Sequence, residues 1–551
     1  MKNFLKLFLT LITGAIFFAS CSNSIKEARF IPKDATFVIV AQPASLNDKL
    51  AKANISLDTL YKEFADKDSS FNIKFEDLKN CGINWLGNMF VYMHTKSGAN
   101  NSATFYVNAL VNINDSSKIV AFIKKHNTKK EFEIKNTKDF SYIKMSDESI
   151  LSWTNKYAII TVAHTTYQTP KFSTDSISKV QFIPTDNENV ATDLLQQITT
   201  YYTQKEEESV ASVKQFTDMF KEKADAYTYS STNGFLNSLN NLPYLQLPKL
   251  QELLRDNYST STINFADGQI EVKGNSYTNA TLSALFKKYP GSAINTSYIE
   301  NYPSNNINGF MLFAFNPQIF TGLLKELGVE PIADSYLDKS GFTTADIFKC
   351  FKGDLALTIS DVNFSDILIN GKKLPPVKML IDANVGDKAS LDKIMNKAVE
   401  SGLIIKTGNT YTGGDLVKSM GMIVQIDDKH FIVASDSLLY KTYIAQTTKS
   451  NISSDVLGKI KGKSSAIYVN IESLVAASNN KNFKNIFKDV IVTGNNFDGS
   501  KLHTEAILRM KDDKQNSLAT IMKLMPEFAN TARKKNITAD DIKSLPFLKF
   551  L

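Results

Sequence analysis

The sequence predicts an α+β protein of two similar halves, each an antiparallel sheet with helices packed on it, produced by internal duplication. Three observations lead to this fold class. Short segments recur in the second part of the chain, strand-like runs alternate apolar and polar residues, and a helix-like run follows each of them. Alternation with a period of two is typical of half-buried antiparallel strands, and strands accompanied by separate helices indicate the α+β class.

The repeat is visible in short matching segments. Residues 77–81 (DLKNC) resemble residues 346–350 (DIFKC), and VIVAQPASL around Pro43 resembles LFAFNPQIF around Pro317. The spacing between matches is nearly constant and shortens only at the end of each half. The pattern therefore predicts a first half over 31–290, with an insertion within about 165–245, and a second half over 305–551.

Two strand-like runs, ATFYVNALVNIN and VKMLIDANV, carry the apolar face on which we expect the helices to pack. Because side chains alternate across a strand, every second residue shares one face. The apolar sets are Phe105, Val107, Ala109, Val111 and Ile113 in the first run and Val377, Met379, Ile381, Ala383 and Val385 in the second.

Helices and turns are expected after these strands. Asp115 precedes SSKIVAFIKKH and suits the N-cap of a helix, where a side-chain oxygen accepts from a free backbone N–H. In SLDKIMNKAVESG, apolar residues recur at helical spacing, and Gly402 suits the helix end. This stripe consists of Leu391, Ile394, Met395, Ala398 and Val399. The dipeptides 267–268 and 498–499, both Asp-Gly, predict type I′ hairpin turns, which need positive φ at both central residues.

The N-terminus has the pattern of a secretory signal. Lys2 and Lys6 flank the start of an apolar run over 5–18, and Ala19 and Ser20 then precede Cys21. The sequence FASC resembles a bacterial lipobox, which implies cleavage before Cys21 and lipidation of its side chain and amino group. Residues 1–20 are then a signal peptide and 21–30 a tether, while the alternative is an ordinary soluble secreted protein. Several acyl chains on one cysteine would give a stable anchor, because one chain holds only marginally.

The composition argues against nucleic-acid binding, and the histidines form no known catalytic motif. The chain has 63 Lys and Arg against 56 Asp and Glu, a net charge of +7, but its arginines are only Arg29, Arg255, Arg509 and Arg533. Arginine is the preferred ligand of phosphates and base edges, so scattered lysines indicate a solvated surface. The five histidines are His94, His126, His164, His430 and His503, and they form no HExxH motif or close pair.

Two short SxxK matches, 176–179 and 390–393, lack the partner motifs of serine hydrolases and fit chance occurrence. We therefore assign no catalytic residue, no cofactor and no metal site.

Cys81 and Cys350 are the remaining cysteines, and two cysteines in so long a chain are not a disulfide framework. We expect both to be buried free thiols, because cysteine is among the most buried residue types. The alternative is a disulfide between them across a pseudo-twofold axis, which requires Cα atoms within about 7 Å.

The lipobox, the segments IPKDATFVIVAQPASL and DLKNCGINWLGNMFVYM, and a duplicated body of this length together resemble the domain-of-unknown-function 4836 family of Bacteroidota lipoproteins. This resemblance implies an envelope lipoprotein without an assigned activity. In that phylum an acidic cluster after the lipidated cysteine directs export to the cell surface. Here only Glu27 stands near Cys21, beside Lys26, which favours an anchor in the outer membrane that faces the periplasm.

Three short segments resemble the O-glycosylation acceptor of the same phylum, in which Asp precedes Ser or Thr and an aliphatic residue. They contain Thr59, Ser176 and Ser437, and chance occurrence is the alternative.

These observations lead to two hypotheses about function. The first is a lipid-anchored envelope protein that is not an enzyme, contacts the membrane through its anchor, and binds or scaffolds an unidentified envelope protein or glycan. The second is an envelope hydrolase whose active site is assembled from residues far apart in the sequence. Repetition of apolar patterns without a repeated polar cluster favours the first.

Overall fold

The protein is described here by a computed structural model. It combines helices with a large antiparallel sheet, so the predicted α+β class is confirmed. The residues that the structure describes are 25–56, 74–98, 102–127, 132–169, 181–184, 190–239, 248–363, 377–478 and 485–524.

The chain forms two compact units that are not continuous in sequence. The first consists of Met1–Ser230, Thr262–Ile270 and Asp512–Leu551, and the second of Ser231–Ser261 and Glu271–Lys511. The second unit thus includes a segment from before residue 262, and the first unit includes the chain after residue 511. The predicted halves, 31–290 and 305–551, follow chain order and remain a prediction.

The first unit is built on a sheet with β1 (Phe37–Ala41) between two neighbours. Its other strands are β2 (Met89–Ser97), β3 (Ser102–Asn112), β4 (Lys135–Asn136), β5 (Ser141–Ser146), β6 (Ser149–Trp153), β7 (Tyr157–Thr169), β8 (Gln181–Pro184) and β9 (Ala226–Ser231). β1 pairs with β9 on one side and with β2 on the other, and the sheet continues through β3, β7, β6, β5 and β4. All of these pairs are antiparallel.

The first unit also contains helices, which lie between its strands in chain order. They are α1 (Pro43–Lys52), α2 (Phe75–Lys79), α3 (Ser116–His126), α4 (Val190–Thr203) and α5 (Lys214–Asp218), with short 3₁₀ turns beside them. Asp115 accepts a 2.9 Å hydrogen bond from the backbone N–H of Ser117 at the start of α3, so the predicted N-cap is confirmed.

The strand β10 (Tyr258–Ala266) is followed by β11 (Gln269–Tyr277). Residues 267 and 268 join them, but only Gly268 has positive φ, at 66°. At the second Asp-Gly pair, likewise, only Gly499 has positive φ, at 99°. The predicted type I′ turns are therefore wrong, because that turn needs positive φ at the aspartate as well.

The second unit contains a sheet with the same succession of strand pairs. Its strands after β11 are β12 (Ile307–Ala314), β13 (Phe351–Ser360), β14 (Lys378–Val385), β15 (Ile404–Thr407), β16 (Thr410–Gly413), β17 (Ile423–Ile426), β18 (His430–Ala434), β19 (Ser465–Val469), β20 (Phe487–Gly494) and β21 (Lys501–Met510). β12 pairs with β19 on one side and with β13 on the other, and the sheet continues through β14, β18, β17, β16 and β15.

The helices of the second unit begin at residue 232. They are α6 (Thr232–Leu239), α7 (Pro248–Leu254), α8 (Ala280–Lys288), α9 (Ser297–Glu300), α10 (Gln318–Leu327), α11 (Glu330–Asp338), α12 (Thr344–Lys349), α13 (Lys388–Glu400), α14 (Asp415–Ser419), α15 (Ser437–Ala445), α16 (Ser454–Ile460) and α17 (Ile471–Ala477). The predicted stripe of α13 packs in a core cluster with Tyr411 and Val385, which confirms that helix.

In the middle of β3 and β14, the strand face opposite to the predicted one is the more buried. In β3, Tyr106 and Leu110 are fully buried, whereas Phe105 and Val107 on the predicted face are only half-buried. In β14, Leu380 is likewise buried and Ile381 is half-buried, although Val385, at the end of the predicted set, is buried against α13. The prediction failed in the middle of the strands because the polar residues of the opposite face are bonded to tyrosine hydroxyl groups and are buried with them.

Candidate functional site

A cleft of about 180 Å³ lies in the second unit, where the end of β12 meets α8, α10 and the loop between β20 and β21. Aromatic rings form most of its wall: Phe286, Tyr289, Phe313, Phe315 and Phe497. Its polar lining consists of Asn316, Ser464, Ser465, Asn495 and Asn496. Apolar and aromatic walls with a few polar groups are typical of small-molecule sites in proteins.

Close backbone approach shapes the cleft at Gly291. A Cβ atom at this position would lie 2.7 Å from the carbonyl oxygen of Ala314 and 2.6 Å from Oδ1 of Asn496, so only glycine fits. The neighbouring rings of Phe286 and Phe497 are stacked with centroids 5.6 Å apart. Such offset pairs stabilise each other beyond the area that they bury, which gives the cleft a defined wall.

The polar groups of the cleft are largely bonded to the protein itself. Nδ2 of Asn496 donates to the carbonyl oxygens of Gly291 and Ser292, each at 3.0 Å. Oδ1 of Asn316 accepts from the backbone N–H of Gln318 at 3.0 Å, and Oγ of Ser464 donates to Gly494 at 3.0 Å. These side chains therefore hold the backbone around the cleft in place.

The lining of the cleft carries no charged group. Among the residues that line it there is no carboxylate, histidine, lysine, arginine or cysteine. General acid–base and nucleophilic catalysis need titratable groups held against the substrate. The residues that line the cleft are therefore all neutral, and they suit the binding of a neutral group.

The apolar wall of the cleft continues along the half-buried face of the second sheet. Phe313 lies opposite Ser465 and Leu355 in the strand register, and Met311, two residues away on the same face, lies opposite Ile467 and Leu357. All six of these residues are half-buried. The predicted apolar residues Met379 and Ile381 of β14 belong to this face, since they lie opposite Ile359 and Leu357.

A second polar cluster lies on the helix-covered face of the same unit. The carboxylate of Asp382 is buried and accepts a 2.8 Å hydrogen bond from the hydroxyl group of Tyr443 in α15. Its other oxygen lies 3.1 Å from Nδ1 of His430. This hydrogen bond raises the pKa of His430, although partial burial of the imidazole acts in the opposite direction. No sequence motif indicates this pair, because His430 and Asp382 are 48 residues apart in the chain.

The SxxK match at residues 390–393 has a structural role. Oγ of Ser390 and Nζ of Lys393 both donate to Oδ1 of Asp346, at 3.1 and 3.0 Å. Burial raises the pKa of Asp346, but Lys393, Thr343 and Ser390 outweigh it and lower that pKa to about 2. The serine hydroxyl thus supports the start of α12, where Thr343 and Asp346 form a capping box. The other match, 176–179, lies outside the described residues.

Cys81 and Cys350 are both buried free thiols in the structure. Burial raises the pKa of each thiol to about 11. Since the thiolate is the reactive form, neither residue is suited to nucleophilic chemistry. Cys350 donates from Sγ to the carbonyl oxygen of Ile347 at 3.0 Å.

Of the predicted modification sites, the structure describes only Ser437. It is exposed as the first residue of α15, directly after the N-cap Asp436, which accepts from the backbone N–H of Leu439 at 2.8 Å. The following Leu438 is 74% exposed. Cys21, Thr59 and Ser176 lie outside the described residues.

The described residues contain neither a metal-ligand cluster nor a helix that could cross a membrane. No group of three or more His, Cys, Asp or Glu side chains there could hold a metal ion. No helix in the same ranges is both long and apolar enough to cross a membrane.

Comparisons with known proteins give no functional assignment. No model of a known protein family matches the chain, and no curated protein matches it. One solved structure that is similar in part is described as "Structure of crystal form I of TP0453". The similarity covers 50% of this chain and 88% of that chain at 11% identity, with a TM-score of 0.22. A likeness this weak carries no argument about fold or function.

One sequence pattern is related to the cleft: the alternating set in VKMLIDANV lies on the half-buried face that continues from it. Tyr289, Pro290 and Gly291, in contrast, lie at the predicted boundary between the two halves. Phe313 and Phe497 meet at the cleft from distant parts of the chain, so no local pattern identifies them as neighbours.

Proposed function

We propose that this protein is a lipid-anchored envelope protein that binds a neutral ligand or ligand segment and is not an enzyme. The observation that carries this proposal is the cleft lined by five aromatic rings and by no charged side chain. Binding at such a site draws on apolar burial and shape, which need no titratable group. The anchor at Cys21 and a position on the periplasmic side of the outer membrane are parts of the same proposal and are supported by the N-terminal sequence.

We further propose that the chain arose by internal duplication, as the recurring segments of its sequence indicate. The support is the same succession of strand pairs in both units, from β9 and β1 to β4 in one and from β19 and β12 to β15 in the other. In both units a helix with an Asp N-cap follows the fourth strand of this succession, capped by Asp115 and Asp387.

Photo-crosslinking in intact cells tests the binding function. A photoreactive amino acid replaces Asn495, which is exposed and lines the cleft, and in a matched control it replaces Tyr336 in α11, which is 77% exposed and does not line it. We expect a defined light-dependent adduct from position 495 and none from position 336. Equal adducts from both positions, or none from either, would contradict the proposal.

The alternative of an envelope hydrolase is favoured by one observation, the pairing of His430 with the buried Asp382. A carboxylate that orients an imidazole is part of many hydrolytic sites. This alternative predicts that the purified protein turns over a peptide, glycan or ester substrate and that His430→Ala abolishes the turnover with the fold intact. We expect no such turnover.

A further inference from the structure

We propose that the cleft binds the aliphatic chain of a fatty acid or a similar single-chain amphiphile, with its acidic head group at Lys288. This inference rests on the proposed binding function and names the chemical class of the ligand. The inference combines three features of the second unit. These are the cleft side chains that already bond to the protein backbone, the apolar sheet face that continues from the cleft, and a lysine at the rim of the cleft.

The lining of the cleft favours an aliphatic chain over a sugar or a peptide as the ligand. Asn316, Ser464 and Asn496 each use a side-chain group to bond to the protein backbone, so fewer polar groups of the lining are left for a polar ligand. The aromatic rings of the wall, in contrast, offer apolar surface that an aliphatic chain covers without losing hydrogen bonds to water.

The face beyond the cleft suits an extended chain. From Phe313, the half-buried side of β12 continues through Met311 to Gly309, over a strand length of about 13 Å at 3.3–3.4 Å per residue. On either side of this line lie Ile467 and Leu357, both half-buried and aliphatic. A chain whose head group lies at the rim of the cleft, beside Tyr289, can therefore extend past Phe313 along this face toward Gly309.

The rim provides a positive charge. Lys288 is exposed at the end of α8, and its ammonium group lies 5.3 Å from the ring centroid of Tyr289, which is part of the cleft wall. A chain that fills the cleft therefore brings its head group close to a lysine. This charge favours a carboxylate or phosphate head over a neutral one, by the modest amount typical of exposed ion pairs.

Fluorescence titration with cis-parinaric acid tests the chain site. The protein is the full chain with Cys21→Ser, so that acyl chains of the anchor cannot compete. We expect saturable binding that weakens at least about tenfold in Phe497→Ala, which removes part of the wall, and in Ser465→Trp, which fills the cleft. The control Tyr336→Ala should bind as the parent does, and thermal unfolding followed by circular dichroism verifies that each variant is folded.

A comparison of two ligands tests the head-group contact. The parent should bind palmitic acid about two- to fivefold more tightly than its methyl ester in competition with the probe. This preference should disappear in Lys288→Ala and persist in the matched control Lys287→Ala, which changes the exposed neighbour. An equal preference in both variants would overturn the assignment of the head group to Lys288.

The outcomes separate this inference from the proposed function. If folded Phe497→Ala and Ser465→Trp bind the probe as tightly as the parent does, the fatty-acid assignment is wrong. If a neutral oligosaccharide displaces the probe from the parent, or binds where the probe does not, the ligand is a glycan and the assignment is again wrong. A defined adduct at position 495 but not at position 336 in cells would in either case support the binding function, whereas equal adducts at both positions, or none at either, would remove both proposals.

Discussion

The hydroxyl group of Tyr443 donates a 2.8 Å hydrogen bond to Oδ2 of Asp382, a carboxylate that is only 1% exposed. Tyr443 belongs to α15 and Asp382 to the central strand β14, so this bond connects a covering helix to the middle of the sheet. Burial raises the pKa of Tyr443, and the negative charge of Asp382 raises it further. The tyrosine is therefore a neutral donor at any physiological pH.

We predict that Tyr443→Phe lowers the free energy of unfolding by about 1–3 kcal/mol, because it leaves one oxygen of a buried carboxylate without its donor. Urea unfolding followed by circular dichroism measures the change. Tyr336→Phe is the matched control, since Tyr336 is 77% exposed, and its stability should change by less than about 0.5 kcal/mol. Equal effects of the two substitutions would contradict a role for the Tyr443 hydroxyl.

The pair of His430 and Asp382 predicts a dependence of stability on pH. Asp382 raises the pKa of His430 in the folded state, so the folded protein binds this proton more tightly than the unfolded chain does. The contribution is complete below the unfolded pKa of about 6.5 and is lost as pH rises through the folded pKa. We expect it to be below about 1 kcal/mol, because the His430 side chain is 40% exposed.

Unfolding of the parent and of His430→Gln at several pH values between 5.5 and 9 measures this contribution. The stability of the parent should fall relative to that of the variant as pH rises. The difference should be largest at the acidic end, where His430 is protonated. If the two curves stay parallel over the whole range, the pair does not contribute to stability in this way.

The sequence predicted the class of the fold and several elements well, because these features depend on residues that are close together in the chain. The cap at Asp115 depends on its bond to Ser117, and the stripe of α13 depends on spacing within one helix. Such short-range relations are visible in the sequence itself.

Which face of the sheet is buried depends instead on side chains that are distant in the sequence. Asn108 and Asp382 lie on the faces of β3 and β14 opposite to the predicted apolar sets. Both are buried, because hydroxyl groups of Tyr201 and Tyr443 reach them from helices 93 and 61 residues away in the sequence. No local pattern contains these pairings, and the same holds for the rings that meet at the cleft.

We predict that Cys81 and Cys350 stay reduced and react slowly. Burial raises the pKa of both thiols to about 11, and a buried thiol is inaccessible to reagents as well. Iodoacetamide at pH 8 should label neither residue within minutes in the folded protein and both in urea, as measured by mass spectrometry of peptides. A shift in electrophoretic mobility on reduction would instead show the alternative disulfide.

We predict that Cys21 carries the lipid anchor. Cys21→Ala should block lipidation and processing, so that the protein accumulates with its residues 1–20 attached or leaves the membrane fraction. Fractionation of cells followed by mass spectrometry of the N-terminus measures both effects. Cys81→Ala is the matched control, because it removes a cysteine that lies outside the N-terminal motif. A Cys21→Ala protein that is processed and still sediments with outer membranes would contradict the prediction.

We predict an O-linked glycan at Ser437, the described acceptor site, because its hydroxyl group lies at an exposed helix start where a modifying enzyme has access.

The substitution Asp436→Asn tests this prediction. Asparagine caps helices about as well as aspartate, so the bond to the N–H of Leu439 and the stability of α15 should be kept, while the acidic residue of the acceptor motif is lost. Intact-mass measurement of protein purified from its native envelope should show one glycan fewer in this variant and in Ser437→Ala. Asp387→Asn, which changes a helix cap of the same kind beside no acceptor, should keep the full mass. If Asp436→Asn and Ser437→Ala both keep the parent's glycan mass, the hydroxyl of Ser437 is unmodified and the match to the acceptor motif is a chance occurrence.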